Sequence, residues 1–186
     1  KWMLKRVQHD NIHKIEKERG EGQYEIALKP VDAMLAAEQC RALKDALSDA
    51  DFRAKPFPDQ PGSGLHVHVH LEQNGKNVFW KRGEEMSDAL KWSLGGLLAT
   101  MQKNMHVFAP TAESRTRFQA GSNAPMSLSW GANNRTCALR LPDSGQDQKW
   151  IEHRVSGADA DPEAVIAAVL GGIVYGLENK CDPGPQ

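Results

Sequence analysis

The sequence predicts an α+β domain, in which short strands joined by hairpin turns alternate with long helices. Two observations support this prediction: several short segments are bounded by turn residues, and several longer segments repeat apolar residues at helical spacing. At 186 residues, 40% of them hydrophobic, the chain could bury a core by itself or form a large part of a bigger domain. No internal repeat or low-complexity tract is visible.

The first third of the chain predicts a hairpin, a helix and a third strand. Strands are predicted at residues 11–16 and 23–28, on either side of the glycine-rich loop 19–22. Pro30 is predicted to open a long helix, with Asp32 in its first turn and apolar residues recurring as far as Leu47. Residues 52–57 are interpreted as a short strand that ends at the Pro- and Gly-rich loop 58–64.

The remaining elements follow from alternation, turn signals and helix caps. Residues 65–71 alternate strictly and predict a strand, and Asn74-Gly75 predicts a hairpin turn with a return strand at 77–80. Ser87 is a good N-cap for a helix that runs to about residue 105. Further strands are predicted near 127–130, 136–141 and 150–155, before a final helix that begins at Pro162 and is capped by Asp161.

Composition argues against several classes of partner. The 23 basic and 24 acidic residues nearly cancel, which removes the electrostatic basis for binding nucleic acid or an anionic membrane. The longest apolar run, residues 164–177, is too short to span a membrane. The three cysteines are scattered without metal-binding spacing, so we expect neither a disulfide framework nor a structural zinc, and we expect a cytoplasmic location.

Three groups of polar residues are candidates for chemistry. His66, His68 and His70 would share one face of a strand, where they could bind a metal or phosphate; a solvated polar face is the alternative. Glu18 and Glu25 could converge as ligands of Mg²⁺ if the loop between them reverses the chain. Arginines could grip phosphate or carboxylate groups, although any one of them could equally be a surface residue: Arg117, Arg135, Arg140 and Arg154.

Five motifs occur together in one order along the chain. They are Glu18 with Glu25, the run Gly62-Ser63-Gly64-Leu65-His66-Val67-His68, Arg117 with Ala124-Pro125, Asn134-Arg135, and Glu152-His153-Arg154. In order and approximate spacing they resemble the catalytic domain of glutamine synthetases over essentially the whole chain. The resemblance implies a curved, mostly antiparallel sheet flanked by long helices, and an ATP-dependent ligase that joins glutamate to an amine through a γ-glutamyl phosphate.

The resemblance also implies a role for each residue of these motifs. The implied metal ligands are Glu18 and Glu25 for one divalent ion, Mg²⁺ or Mn²⁺, and His66 and Glu152 for a second. The implied ATP contacts are His68, Arg135 and Arg140. The implied glutamate contacts are Gly62, Arg117 and Arg154. The residues expected to act on the reacting groups are Arg117, Arg135 and Asn123.

Parts of the family's catalytic unit are expected to lie outside residues 1–186. Family members carry further metal-binding carboxylates on an upstream strand, and a separate N-terminal domain that completes the active site of a neighbouring subunit. We therefore expect residues 1–186 to be a partial catalytic domain that is weak or inactive by itself. We expect the parent protein to form a homo-oligomeric ring.

Residue 123 departs from the family pattern. Glutamine synthetases carry at this place a glutamate that helps bind ammonium and takes its proton, whereas the amide of Asn123 cannot act as a base near neutral pH. Together with Ser129-Trp130-Gly131 and the run from Gly157 to Pro162, this residue is more similar to the γ-glutamyl-polyamine and γ-glutamyl-amine ligase branch.

The amine-ligase interpretation has two alternatives. The first is a glutamine synthetase that uses ammonium, with the base supplied by another acid, of which Glu113 is the nearest in sequence. The second is a non-catalytic family member, which the presence of all four implied metal ligands disfavours. Trp130 could line the substrate pocket because it lies close to Asn123 in sequence, and core packing is the other interpretation of this residue.

Overall fold

The computed structural model describes residues 11–145 and 148–186. The strands are β1 (Ile12–Lys17), β2 (Tyr24–Leu28), β3 (Val67–Val69), β4 (Glu72–Gln73), β5 (Lys76–Asn77), β6 (Ser127–Ala132), β7 (Cys137–Leu141) and β8 (Ile151–His153). The helices are α1 (Ala33–Ala46), α2 (Asp88–Met101), α3 (Met105–Phe108), α4 (Ala112–Arg115) and α5 (Pro162–Asn179).

The central sheet has the strand order β3-β8-β7-β6. Strand β8 pairs antiparallel with both β3 and β7, and β6 pairs parallel with β7. Two antiparallel hairpins, β1-β2 and β4-β5, form separate small sheets. The prediction of an α+β fold with a mostly antiparallel sheet is therefore confirmed.

The hydrophobic core lies between this sheet and the helices α2 and α5. Apolar side chains from α2, α5 and strands β6 to β8 form one buried cluster. The two helices approach closely because glycines face each other: a β-carbon on Gly96 would overlap the carbonyl oxygen of Gly172, and one on Gly176 would overlap that of Trp92. No helix in the described ranges is both long and apolar enough to cross a membrane.

Side-chain caps define where the long helices begin. Asp32, Ser87 and Asp161 each accept a hydrogen bond from a backbone N–H three residues later, which confirms the predicted caps of α2 and α5. Asp32 is the N-cap of α1 and does not lie in its first turn, so the helix begins at Ala33 and not at Pro30. Helix α2 ends at Met101, earlier than predicted, and a turn separates it from α3.

One predicted strand is absent, and others differ from the prediction in length. Residues 52–57 form no strand; their backbone is instead fixed by local bonds, such as that from the Ser63 N–H to the Ala54 carbonyl at 2.8 Å. The predicted strand 65–71 is reduced to Val67–Val69, and the return strand after Asn74-Gly75 is Lys76–Asn77 and not 77–80. Alternating apolar and polar residues indicate which side chains are buried, but a strand forms only where a neighbouring strand pairs with it.

Candidate active site

A row of three polar side chains crosses the central sheet. His68 on β3 is the register partner of Glu152 on β8, and Glu152 is the register partner of Arg140 on β7. Residues in register on one face of a sheet have β-carbons about 4.5–5.5 Å apart, so the sheet itself brings these side chains together. The neighbours Ile151 and His153 point to the other face of β8, into the hydrophobic core, as strand alternation requires.

Glu152 is the centre of a buried charge cluster. Its Oε2 accepts a hydrogen bond from Arg140 Nη1 at 2.8 Å, and its Oε1 accepts one from Arg154 Nη1 at 2.5 Å. His66 Nδ1 lies 3.3 Å from the same Oε1. Burial alone would raise the pKa of Glu152, but the hydrogen bond from His66 and the charge of Arg154 outweigh it and hold this pKa far below its usual range. Glu152 is therefore a carboxylate at neutral pH.

The two histidines of this cluster are neutral at physiological pH. Burial lowers the pKa of His66, and the attraction of the Glu152 carboxylate opposes this effect only in part. Burial likewise lowers the pKa of His68, whose Nε2 lies 4.0 Å from Glu152 Oε1. His70 does not join them, because its Nε2 lies 2.9 Å from Glu72 Oε1 near the β4-β5 hairpin. The structure thus brings together two of the three histidines that the sequence placed on one face.

Arg154 connects the central sheet to two loops through hydrogen bonds. Its side chain, in a residue 5% exposed, donates from Nε to the Arg135 carbonyl and from Nη2 to the Asn123 carbonyl, each at 3.1 Å, in addition to its bond with Glu152. Three of the five N–H donors of the guanidinium are therefore occupied within the chain. Arg135 and Asn123 contribute to this contact through the backbone, and the side chain of Arg135 belongs to an exposed residue.

Arg117 is buried below the Pro- and Gly-rich loop 58–64. The residue is 3% exposed, and its Nη1 and Nη2 donate to the carbonyls of Val155 (2.8 Å) and Arg154 (3.2 Å). Burial lowers the pKa of Arg117 to about 10, so its guanidinium stays charged at neutral pH. Gly62 lies directly on this side chain, since a β-carbon there would overlap Arg117 Cγ. The sequence placed Gly62 and Arg117 together as glutamate contacts, and the structure packs them against each other.

The hairpin β1-β2 brings two acids together. Glu16 pairs with Glu25 across the hairpin, and Glu18 follows Glu16 by two residues, which places all three on one face. Burial raises the pKa of Glu25, and the adjacent Glu18 carboxyl raises it further. The charge of Glu152 acts on the Glu25 pKa in the same direction.

Gln23 holds this hairpin in place, and the sequence analysis did not identify it. Its Nε2 donates to the Gly62 carbonyl at 3.2 Å and lies 3.1 Å from Ser63 Oγ, while its Oε1 accepts the Gly20 N–H at 3.0 Å. One side chain therefore connects the hairpin of Glu18 and Glu25 to the loop that covers Arg117. The local sequence Gly-Gln contains no periodic or capping signal from which this contact could be predicted.

The donor atoms of both implied metal pairs suit a hard divalent cation. Burial and the adjacent Glu18 carboxyl raise the pKa of Glu25, and a divalent ion bound between these two carboxylates would offset their repulsion. Glu152 has used three of roughly four lone-pair positions on its contacts with His66, Arg140 and Arg154, which leaves a position for a further ligand. Within the described ranges no three His, Cys, Asp or Glu side chains lie close enough to hold an ion among themselves.

The loop after Arg117 has a left-handed residue at Asn123. Asn123 has φ 57°, a conformation that asparagine tolerates better than most residues. Ser122 Oγ accepts the Ala124 N–H at 3.2 Å and lies within hydrogen-bond distance of the carbonyls of Arg117 and Gln119. The loop is therefore held by its own backbone and by Arg154, and it presents a neutral amide at residue 123.

Two further residues lie away from this cluster. Glu113, the alternative acid for the ammonium reaction, is on α4 and lies 3.9 Å from Arg53 Nη1, in a surface cleft that Lys55 also lines. Trp130 is 7% exposed, and its indole N–H donates to the Gly184 carbonyl at 3.0 Å. Core packing is therefore the correct interpretation of Trp130.

Comparison with known proteins gives the family. The sequence profile described as "Glutamine synthetase, catalytic domain" matches residues 3–186, nearly the whole chain. The chain belongs to the glutamine synthetase family. This membership confirms the resemblance that the five ordered motifs indicated.

Individual members of the glutamine synthetase family are similar to this chain over most of its length. Gamma-glutamylputrescine synthetase PuuA of Escherichia coli is 40% identical over 173 residues, which cover 88% of this chain and 37% of that protein. Type-1 glutamine synthetase 2 of Dictyostelium discoideum is 34% identical over 177 residues, 89% of this chain and 34% of that protein. The ligand-free structure of GmaS superposes with a TM-score of 0.81 at 29% identity, covering 95% of this chain and 43% of GmaS. The chain thus spans about a third of the length of the two sequence relatives.

Proposed function

We propose that the complete protein containing this chain is an ATP-dependent ligase that joins the γ-carboxylate of glutamate to an organic amine. The observation that carries the proposal is the neutral Asn123 at the place where ammonium-using members of the family have a glutamate. The 40% identity to a protein named gamma-glutamylputrescine synthetase supports it, compared with 34% to a glutamine synthetase. The surface position of Glu113, paired with Arg53, gives no support to this residue as a replacement base.

The charge cluster suits the two chemical steps of this reaction. In the first step a glutamate carboxylate oxygen attacks the γ-phosphorus of ATP, ADP leaves, and an acyl phosphate forms. We assign Arg135, Arg140 and His68 to the phosphate oxygens of ATP. We assign Arg117 and Arg154, near Gly62, to the carboxylates of glutamate. In the second step the amine nitrogen attacks the acyl carbon, phosphate leaves, and the nitrogen loses a proton. Fixed positive charges lower both barriers, because negative charge gathers on oxygen in each transition state.

Two pairs of residues are proposed to hold divalent ions. Glu18 and Glu25 would bind one Mg²⁺ or Mn²⁺ ion, and His66 and Glu152 a second. When bound, such ions offset the repulsion between the phosphates of ATP and the attacking carboxylate. The low pKa of Glu152 and the lowered pKa of His66 favour this role, because both groups carry free electron pairs at neutral pH without having to lose a proton first.

The first test is an acceptor panel with the complete protein. ADP release is measured with glutamate, ATP and Mg²⁺, comparing ammonium with mono-, di- and polyamines. Turnover with an organic amine and little with ammonium supports the proposal. Efficient turnover with ammonium would make the protein a glutamine synthetase with an unusual loop, and the interpretation of Asn123 would be wrong. ADP release with neither class of acceptor would contradict the ligase assignment itself.

A matched pair of variants isolates the charge at residue 123. Asn123→Glu introduces a carboxylate, and Asn123→Gln introduces a neutral side chain of the same length, so both place a longer residue at φ 57°. We expect Asn123→Glu, and not Asn123→Gln, to raise the ratio of ammonium to amine turnover by about tenfold or more. Equal ratios in the two variants would show that the charge at residue 123 does not select the acceptor.

We also propose that the complete protein forms a homo-oligomeric ring. This follows from family membership and from the expectation that a neighbouring subunit completes each active site. Light scattering coupled to size exclusion tests it, and a monomeric protein with full ligase activity would contradict it.

A further inference from the structure

The side chain of Asn133 is hydrogen-bonded to the guanidinium of Arg140. Its Oδ1 accepts two hydrogen bonds from that side chain, one from Nε at 3.2 Å and one from Nη2 at 2.5 Å. Asn133 follows directly on strand β6 and has φ 50°, and its own N–H donates to the Leu141 carbonyl at 2.7 Å. The backbone at Asn133 is therefore anchored to β7, one residue beyond the arginine that its side chain contacts.

Two contacts from opposite directions fix the plane of this guanidinium. Asn133 holds the edge formed by Nε and Nη2, and Glu152 Oε2 accepts from Nη1 at 2.8 Å. An arginine has five N–H donors in a rigid fork, so three are used and one remains on each terminal nitrogen. The donors that remain can point in only one direction as long as both acceptors stay in place.

We propose that Asn133 is a positioning residue, which aims the free N–H groups of Arg140 at the phosphate oxygens of ATP. The inference rests on the proposed function, because it takes Arg140 as a phosphate contact. Glu152 cannot fix the orientation alone, since a single contact at Nη1 leaves the guanidinium free to turn about it. The amide oxygen of Asn133 supplies the second point of attachment.

The left-handed backbone of Asn133 allows a substitution that removes the side chain and little else. Glycine adopts φ near 50° without strain, so Asn133→Gly deletes the acceptor while preserving the turn. Asn133→Asp keeps an oxygen at the same place and tolerates the same backbone. Asn74, with φ 53° in the turn between β4 and β5, is a matched control position outside the charge cluster.

Steady-state kinetics of the complete protein test the inference, with the amine found best in the acceptor panel, or ammonium if that is preferred. We expect Asn133→Gly to lower kcat/KM for ATP by about tenfold, because Arg140 loses the contact that orients it towards phosphate. The KM for glutamate should be unchanged, because Asn133 contacts neither Arg117 nor Arg154. We expect Asn133→Asp to recover most of the loss. Asn74→Gly should match the wild type, and all variants should melt within a few degrees of it.

The outcomes separate this inference from the proposed function. An active wild type with an equally active Asn133→Gly variant would overturn the positioning role and leave the ligase assignment intact. An Asn133→Asp variant as impaired as Asn133→Gly would also overturn it, as would a parallel rise in the KM for glutamate. A wild type that releases no ADP with any acceptor would overturn the proposed function, and the inference with it.

Discussion

Replacing Gly62 with alanine should disturb both the stability and the glutamate site of the protein. A β-carbon at Gly62 would overlap Arg117 Cγ, and it would lie 3.0 Å from Arg117 Cδ and 2.7 Å from the Ala54 carbonyl oxygen. Carbon atoms that are not bonded stay about 3.5–4.0 Å apart, and a carbon and an oxygen atom stay only slightly closer. All three contacts are therefore too short. The new methyl group can be accommodated only if the loop or Arg117 moves.

Neither neighbour can move without breaking hydrogen bonds. The Ala54 carbonyl accepts the Ser63 N–H at 2.8 Å, and Arg117 donates to the carbonyls of Val155 and Arg154 from a residue that is 3% exposed. Overpacking of this kind costs about 1–3 kcal/mol, and loss of one charged hydrogen bond costs a similar amount. We therefore expect Gly62→Ala to lower the free energy of unfolding by about 2–6 kcal/mol.

Chemical denaturation measures the stability change, and glutamate kinetics of the complete protein measure its consequence. We expect the KM for glutamate to rise, because the displaced atoms belong to Arg117 and to the loop above it. Gly171→Ala is the matched control: its β-carbon would meet no neighbouring atom within 4 Å, and alanine stabilises a helix interior by roughly 1 kcal/mol relative to glycine. A Gly62→Ala protein with wild-type stability and wild-type KM would refute the argument that Arg117 is fixed below this loop.

Four further predictions concern the metal pairs, the hairpin, the helix interface and the core. His66→Ala should remove one of two Mn²⁺ ions detected by calorimetry in the complete protein, and unchanged two-site binding would contradict the ligand assignment. Gln23→Ala should weaken Mn²⁺ binding by about tenfold without unfolding the protein, because the hairpin loses its contact with the loop of Gly62; unaltered affinity would leave Gln23 without this role. Gly96→Ala should cost at least about 2 kcal/mol in denaturation experiments, since the methyl group meets a backbone carbonyl and not a flexible side chain. Burial lowers the pKa of His153 from 6.5 to about 3. As the pH falls below 6.5, this histidine therefore binds a proton in the unfolded chain but not in the folded chain. Between pH 7 and pH 5 this group should therefore remove about 2 kcal/mol of stability, and a His153→Phe variant that loses as much as the wild type would disprove its contribution.

Local features of the fold were predictable wherever the cause lies within a few residues. The caps Ser87 and Asp161 bond to N–H groups three residues away, and Asn74-Gly75 has positive φ at both positions, as its hairpin turn requires. The strand predicted at residues 52–57 is absent because strand formation depends on a pairing partner, which no local pattern encodes. Helix caps and turns were therefore predicted better than strands.

The candidate site was predictable in composition but not in geometry. The order of the motifs identified the family, and it named Glu152, Arg140, Arg154 and His66 as functional residues before any of their contacts was known. Their roles remain predictions, but the structure places these four side chains in direct contact through Glu152. Arg117 was predicted as a glutamate contact, but its burial and its bonds to backbone carbonyls could not be predicted from the sequence.

The amino-acid sequence by itself determined the family, the starts of α2 and α5, the turn at Asn74-Gly75 and the residue types of the site. Only the tertiary structure decided which atoms meet: Gln23 contacts Gly62 across 39 residues, and Arg154 reaches the carbonyl of Asn123 across 31. The physical reason is one of range. Caps and turns depend on backbone groups a few positions away, but side-chain contacts across a sheet depend on strand register and on the packing of loops from distant parts of the chain. The hydrogen bond between Asn133 and Arg140 is intermediate in range. It joins residues that are seven apart in sequence, and it depends both on the left-handed backbone of Asn133 and on the pairing of β6 with β7.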